Sequence, residues 1–470
     1  MKKKKLADSF SKKIKAYALK NALEHEGKAR IESVLNALFH EGLKKEQIKS
    51  VLPKIKKTVE EINSLDIEKQ KQLFKEFERE ISRRKERTGL PELPEAEKGV
   101  ITRFAPSPSG PLHIGHVATG MPSSLYVKKY GGKFYIRIED TNPKNIAPEA
   151  YEMIEKEAKW VFGNVHAIIV QSDRLEHYYR YAEELIKKGF AYICTCEAEK
   201  FRELKKSKKE CPCRNLPVTE QMDRWKKMLH DYKEGEAVLR FKSSMQLENP
   251  SLRDFPLARI IEKEHPRQGK KYRVWPLMSF SVAVDDIEYG ITHVIRAKEH
   301  RDSAKRQEMI YKALGKKFPY TFFLGRYKFK DLEISCTKIR KLIQERKFSG
   351  WDDIRLPFLA SLEKRGYQPE AFEKMAEVRG LSEVDKVISK EDYFELLDNF
   401  NREILKEKAL PIETSETQKQ GFEEVRILMP DATEKRIYAK IQNIKDNDIV
   451  YFKGLGYAKL NKDIFWFCHR

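Results

Sequence analysis

Long apolar runs are missing from this 470-residue chain. The longest, Val274 to Val284, is short and broken by Ser279 and Ser281, so no segment reads as a membrane span. The start, MKKKKLADSF, is basic but has no apolar core behind it. That argues against a signal peptide and for a cytoplasmic protein with no membrane partner. Cysteine is scarce: six in a chain of this size do not make a disulfide scaffold. No internal repeat is visible. Acidic residues are the minority, 72 against 93 Lys and Arg, a net charge of +21. Such a surplus suits a polyanion, either nucleic acid or an acidic membrane face. The bland alternative is a soluble, Lys-rich surface, because both signs are interspersed.

The length suggests roughly two to four domains. Residues 1–87 read as helices. Ile31, Val34, Leu35, Leu38 and Phe39 lie on one helical face. Ile48, Val51, Leu52, Ile55, Val59 and Ile62 repeat the pattern, and Leu73, Phe74, Phe77 and Ile81 continue it. With the linker at 88–98, where Pro91 and Pro94 bar a helix, they form an N-terminal module, 1–98, suited to packing or docking a protein partner. From Gly99 the texture changes. Strands at 100–105, 133–138 and 166–170 alternate with helices, including 148–162 and 175–189, which argues for a Rossmann-type parallel sheet with helices on its faces. Its halves are 99–193 and 273–325, separated by an insertion at 194–272. Residues 326–385 look mostly helical. The stretch 386–470 opens with a short helical piece and ends in β segments at 436–440, 448–452, 456–460 and 464–467, a small barrel or sandwich.

The densest chemical signal is RFAPSPSGPLHIGH, Arg103 to His116. A strand ends, a Pro- and Gly-punctuated loop follows, and a helix begins. Ligands in open α/β sheets bind beyond the carboxyl ends of the strands, and a helix start there favours phosphate. His113 and His116, three apart, can face one side of the first turn and donate to phosphate oxygens that gain charge in a transition state. Cys194, Cys196, Cys211 and Cys213 form two C-x-C pairs separated by fourteen residues. Four thiolates can close a structural zinc shell; the alternative is four reduced cysteines in a loop.

The first stretch resembles the first signature of class I aminoacyl-tRNA synthetases. With RIEDTNP at Arg137 to Pro143, it resembles the glutamyl and glutaminyl branch. YALKNALEHEGKA at 17–29 and the insertion segments CTCEAEKFRELKK, CPCRNLP, YKEGEAVLR and GKKYRVWPL are similar to the archaeal glutamyl enzymes. The likeness runs to about residue 390. It implies a multidomain α/β enzyme with a helical N-terminal module, a zinc-bearing insertion that handles the tRNA acceptor end, a helical stem-contact region and a C-terminal β-barrel. ATP with Mg²⁺, glutamate, and tRNA for glutamate and also for glutamine would be the partners. Glu139 and Ser107 would hold the substrate's α-amino group, Arg296 its α-carboxylate and Arg103 its side-chain carboxylate. Gly115 and Glu299 would lie at ATP. In DLEISCTKIRK, Asp331 to Lys341, the resemblance implies a mobile loop whose Lys338 and Lys341 clamp the ATP phosphates.

The chain departs from that pattern in four places. Met278 stands where family members carry a tyrosine that reads the substrate side chain. Cys336 stands where many relatives carry the loop lysine. Gly120 and Pro122 interrupt a helix that relatives keep unbroken. The last 85 residues leave room for about one barrel rather than two. Two rival readings follow: a paralogue that activates another amino acid or loads another acceptor, and a catalytically silent tRNA-binding protein.

Overall fold

The computed structural model describes residues 10–25, 27–81 and 89–470. The first and last stretches of the helical reading, and the start of the linker, lie outside them. The chain divides into two compact units, Met1–Glu86 and Arg87–Arg470.

Among the described residues, the first unit carries four α-helices, Ser11–Glu24, Ile31–His40, Ile48–Asn63 and Ile67–Phe77. Val34 and Leu38 meet Val51, Ile55, Val59 and Ile62 in one core, on the faces that the apolar spacing marks. Gln70 is fully buried, and its amide donates to the carbonyls of Gly27, Ile62 and Leu65.

In the second unit, Val100–Phe104, Gly132–Ile138 and Val165–Val170 form a parallel sheet in that order. His293–Ala297 and Tyr320–Leu324 form a parallel pair on the other side of Val100–Phe104. Ile101 and Thr292 join the two pieces, each backbone N–H donating to the other residue at 2.9 Å. The chain thus runs outward in one direction from residue 100 and in the other from residue 293. Between those strands lies a topological switch point, the crevice that such sheets offer to ligands.

Helix Ile114–Tyr130 is continuous through Gly120 and Pro122, against the expected interruption. Gly120 is needed for close approach: a Cβ there would come within 2.8 Å of Phe162 and 2.9 Å of Phe104. Pro122 has no N–H for the carbonyl of Ala118. The Arg379 guanidinium donates to that carbonyl instead, at 3.1 Å.

A four-stranded antiparallel sheet, Ala191–Cys194, Val238–Phe241, Pro256–Ile260 and Val274–Pro276, carries helices Ala198–Lys206 and Val218–His230; its Phe255 and Trp275 share a core with Trp225 and with Leu185, Phe280 and Ile310. Helices Cys336–Gln344, Leu359–Arg365 and Pro369–Arg379 follow the parallel strands. The helical piece after residue 386 is not short: it is a 19-residue helix, Lys390–Lys408, capped by Ser389. A seven-stranded sheet ends the chain, in the order Leu410–Ile412, Ile449–Phe452, Gly456–Asn461, Ile464–His469, Glu423–Leu428, Glu434–Ala439, Thr414–Ser415. Its two edge strands are neighbours in the chain, separated only by Glu413, and the Glu413 carbonyl accepts from Lys440 N–H. Among the described residues no helix is long and apolar enough to cross a membrane.

Candidate active site

A cleft of about 380 Å³ opens at the carboxyl ends of Val100–Phe104 and His293–Ala297. Arg103, Ser107, His113, Gly115, His116, Glu139, Met278, Arg296 and Glu299, nine residues singled out in the sequence, all line it.

The loop from Phe104 to His113 is tied down at several points. Pro106 and Pro108 carbonyls accept from Glu139 N–H and Ala147 N–H. Leu112 N–H donates to the buried Glu157 carboxyl group at 2.6 Å, and Leu112 C=O accepts from Leu359 N–H. Burial pushes the Glu157 carboxyl up to about 8. His113 caps the helix: its Nδ1 accepts from Gly115 N–H at 3.1 Å, while His116 Nδ1 faces His113 N–H at 3.4 Å. The rings stack with centroids 3.8 Å apart. Desolvation lowers both pKa values, His116 to about 4, so both imidazoles are neutral at pH 7. With Nδ1 turned to a backbone N–H, the proton sits on Nε2, the donor each ring keeps for a ligand.

The opposite wall is an ionic network. Arg103 grips Asp286 with Nε and Nη2, at 3.2 and 3.3 Å. Arg137, 1% exposed, contacts Asp286, Glu139 at 3.1 Å and Asp285 at 3.8 Å. Burial opposes the Arg137 charge, but Asp286, Glu139 and Asp285 outweigh it and raise its pKa. Asp285 also accepts from Arg174, Tyr178 and Gln171. Among the described residues, Arg296 hydrogen-bonds only Gln307, at 2.7 Å. Burial, with Arg103 alongside, lowers its pKa to about 10. Sequence reasoning missed Arg137 as a charge centre, and also Asp285, Asp286 and Gln307.

Lys338 and Lys341 are not brought into the cleft. Lys338 is 71% exposed and paired with Glu333 at 2.8 Å; Lys341 is also exposed, with only Glu345 at 3.9 Å. Cys336 begins their helix buried against the first loop, its Sγ toward the Pro111 carbonyl. Gly110 leaves room for it: a Cβ there would lie 2.8 Å from that sulfur. Two further cations that line the cleft are Arg326 and Arg379. Arg326 pairs with Glu299 at 3.0 Å, and Arg379 stacks over Tyr327. Arg326 sits just past a strand's carboxyl end, a signal that could have found it; Arg379 has none.

Elsewhere, Cys194, Cys196, Cys211 and Cys213 come together with all four sulfurs within 4.8 Å of one another. Sulfur–sulfur distances of 3.6, 3.4 and 3.9 Å are too long for disulfides. They fit a tetrahedron of ~2.3 Å zinc–sulfur bonds, whose edge is about 3.8 Å.

The family described as tRNA synthetases class I (E and Q), catalytic domain, matches residues 99–407. A glutamate–tRNA ligase of Thermococcus onnurineus (strain NA1) is 45% identical over 387 residues, which cover 80% of this chain and 68% of the relative. One from Pyrococcus horikoshii is 46% identical over 386 residues, 80% and 68% of the two chains. One from Methanothermobacter marburgensis is 42% identical over 396 residues, 84% and 71%.

Proposed function

The chain belongs to the class I tRNA synthetases of the E and Q type, and from that premise we propose that it joins glutamate to tRNA through a glutamyl-adenylate made from ATP. One observation carries the choice of an acidic amino acid. Three guanidinium groups (Arg103, Arg137, Arg174) face three carboxylates (Asp285, Asp286, Glu139), and Arg296 adds a further, unmatched cation. Glutamate has one ammonium and two carboxylates, so its net negative charge complements that excess.

In the first step the α-carboxylate oxygen of glutamate bonds to the α-phosphorus of ATP as the bond to the β-phosphate oxygen breaks, and pyrophosphate leaves. The Nε2–H groups of His113 and His116 would donate to the α-phosphate oxygens as they gain charge. Glu139 and Ser107 would hold the ammonium, Arg296 the α-carboxylate and Arg103, through its remaining donors, the side-chain carboxylate. Mg²⁺ would enter on the ATP phosphates, because Glu139 and Glu299, which line the cleft, are each paired with an arginine. Lys338 and Lys341 would reach the phosphates only after their helix moves. In the second step a ribose hydroxyl at the tRNA 3′ end attacks the activated carbonyl and AMP leaves.

The four cysteines would hold one structural zinc in the region that handles the acceptor end. Metal analysis should find about one zinc per chain, and Cys196→Ser should impair tRNA use more than adenylate formation; a fully active, zinc-free protein would refute this. We read the closing seven-stranded sheet, whose two edges are one run of chain, as a barrel. A cytoplasmic site of action follows from this reading.

Transfer of labelled glutamate to tRNA for glutamate, with aspartate and glutamine as controls, tests the proposal; transcripts for glutamine in parallel decide the second acceptor. Met278, which lines the cleft and donates no hydrogen bond, favours one rival, a paralogue for another amino acid. Charging with that amino acid and none with glutamate would establish the rival.

A further inference from the structure

Around the switch point, Arg103, Arg137 and Arg174 each face a carboxylate within 3.3 Å. Arg296 does not. It is 7% exposed, and among the described residues its one hydrogen-bond partner is the amide oxygen of Gln307. Gln307 is 2% exposed on helix Arg301–Ala313. Arg296 Nε and Gln307 Nε2 are both buried without a partner. An unmade hydrogen bond at a buried polar group is unfavourable, and Arg296 lines the cleft, so a ligand there can supply the acceptor it lacks.

We infer that Gln307 is a positioning residue that orients Arg296 toward the substrate carboxylate while leaving its charge unneutralised. The amide does what a carboxylate of the same shape cannot. It accepts the guanidinium N–H and fixes the fork, yet carries no charge to compete with the incoming anion. A glutamate at 307 would make the same hydrogen bond and turn Arg296 into one more matched pair like its neighbours. The inference rests on the proposed adenylate chemistry, but not on which amino acid is used, because every amino acid brings an α-carboxylate.

The test is ATP–pyrophosphate exchange with tRNA present, in the full chain. Gln307→Glu, nearly isosteric, should raise KM for the amino acid about 10- to 100-fold, the worth of one charge-assisted interaction. kcat and KM for ATP should stay within about twofold, and the melting temperature should not fall. Gln307→Met loses the orienting oxygen but keeps Arg296 charged; it should raise KM by less than about tenfold. A purely structural glutamine would give the opposite order, with the less conservative methionine worse. That order, or an unchanged KM in Gln307→Glu, would overturn the inference. If Gln307→Glu does not fold, Gln307→Met decides: a loss confined to kcat would overturn it. A wild-type chain that activates a different amino acid would sink the glutamate reading alone, and the same comparison would be run with that amino acid.

Discussion

The two sides of the cleft are held in different ways. On the amino-acid side, Arg103, Arg137, Glu139 and Arg296 sit on neighbouring strand ends and are locked through Asp285, Asp286 and Gln307, nearly all buried. On the phosphate side, the basic loop leaves Lys338 and Lys341 in solvent, each with at most an exposed ion pair. An exposed pair is worth about 0–1 kcal/mol and is easily exchanged for a phosphate; a broken buried network is not. On the proposed reading, specificity would reside in the buried side, and the leaving group would be met by the exposed one.

The largest effect should come from breaking the buried side. Arg137→Gln leaves Asp285, Asp286 and Glu139 short of a partner and should destabilise the fold by about 3–5 kcal/mol in urea unfolding. Lys338→Ala should change stability by less than about 0.5 kcal/mol. Equal losses would erase the contrast. Next, His116→Ala should lower the rate of adenylate formation by about 10²–10³-fold with little change in ATP binding, since its donor acts mainly in the transition state. An unaltered rate would move the chemistry elsewhere.

Smaller is the effect of Lys338→Ala on catalysis. If its helix moves to the phosphates, kcat should drop about tenfold with KM for glutamate unchanged. No change at all would assign the phosphate side to Arg326 and Arg379. Smallest is a pH effect beneath the histidine loop. The Glu157 carboxyl, near 4.5 when free, is raised by burial to about 8, so the folded chain keeps a proton that the unfolded chain loses. Its contribution is fully present below about pH 4.5 and is lost as pH rises toward 8. The melting temperature of the wild type should fall across that range relative to Glu157→Gln. Parallel curves would show that Glu157 is ionised throughout.

What could be read from the sequence follows from how local each feature is. The parallel strands, the helix that starts at the histidines and the two C-x-C pairs are written in short stretches, and each was legible; that His113 caps the helix was not. The 19-residue helix at Lys390–Lys408 read as shorter because Asn401 interrupts its apolar stripe. In the fold Asn401 is fully buried, with its amide on His469 and its oxygen accepting from Gln368 N–H. The Arg137–Asp286 contact joins residues 149 positions apart, so no spacing rule reveals it. Glu157 looks like any glutamate on an amphipathic helix; its partner, Leu112, is 45 residues away. Gly120 and Pro122 looked like helix breakers because the groups that answer them, Phe104, Phe162 and Arg379, come from three other segments.

Pyrophosphate exchange over all twenty amino acids, with and without tRNA, tests the central claim most directly. With tRNA present, ATP-dependent exchange should be highest with glutamate: the excess positive charge of the cleft favours an acidic substrate over glutamine, and membership of the E and Q family favours glutamate over aspartate. Exchange with another amino acid and none with glutamate, tRNA included, would contradict the account.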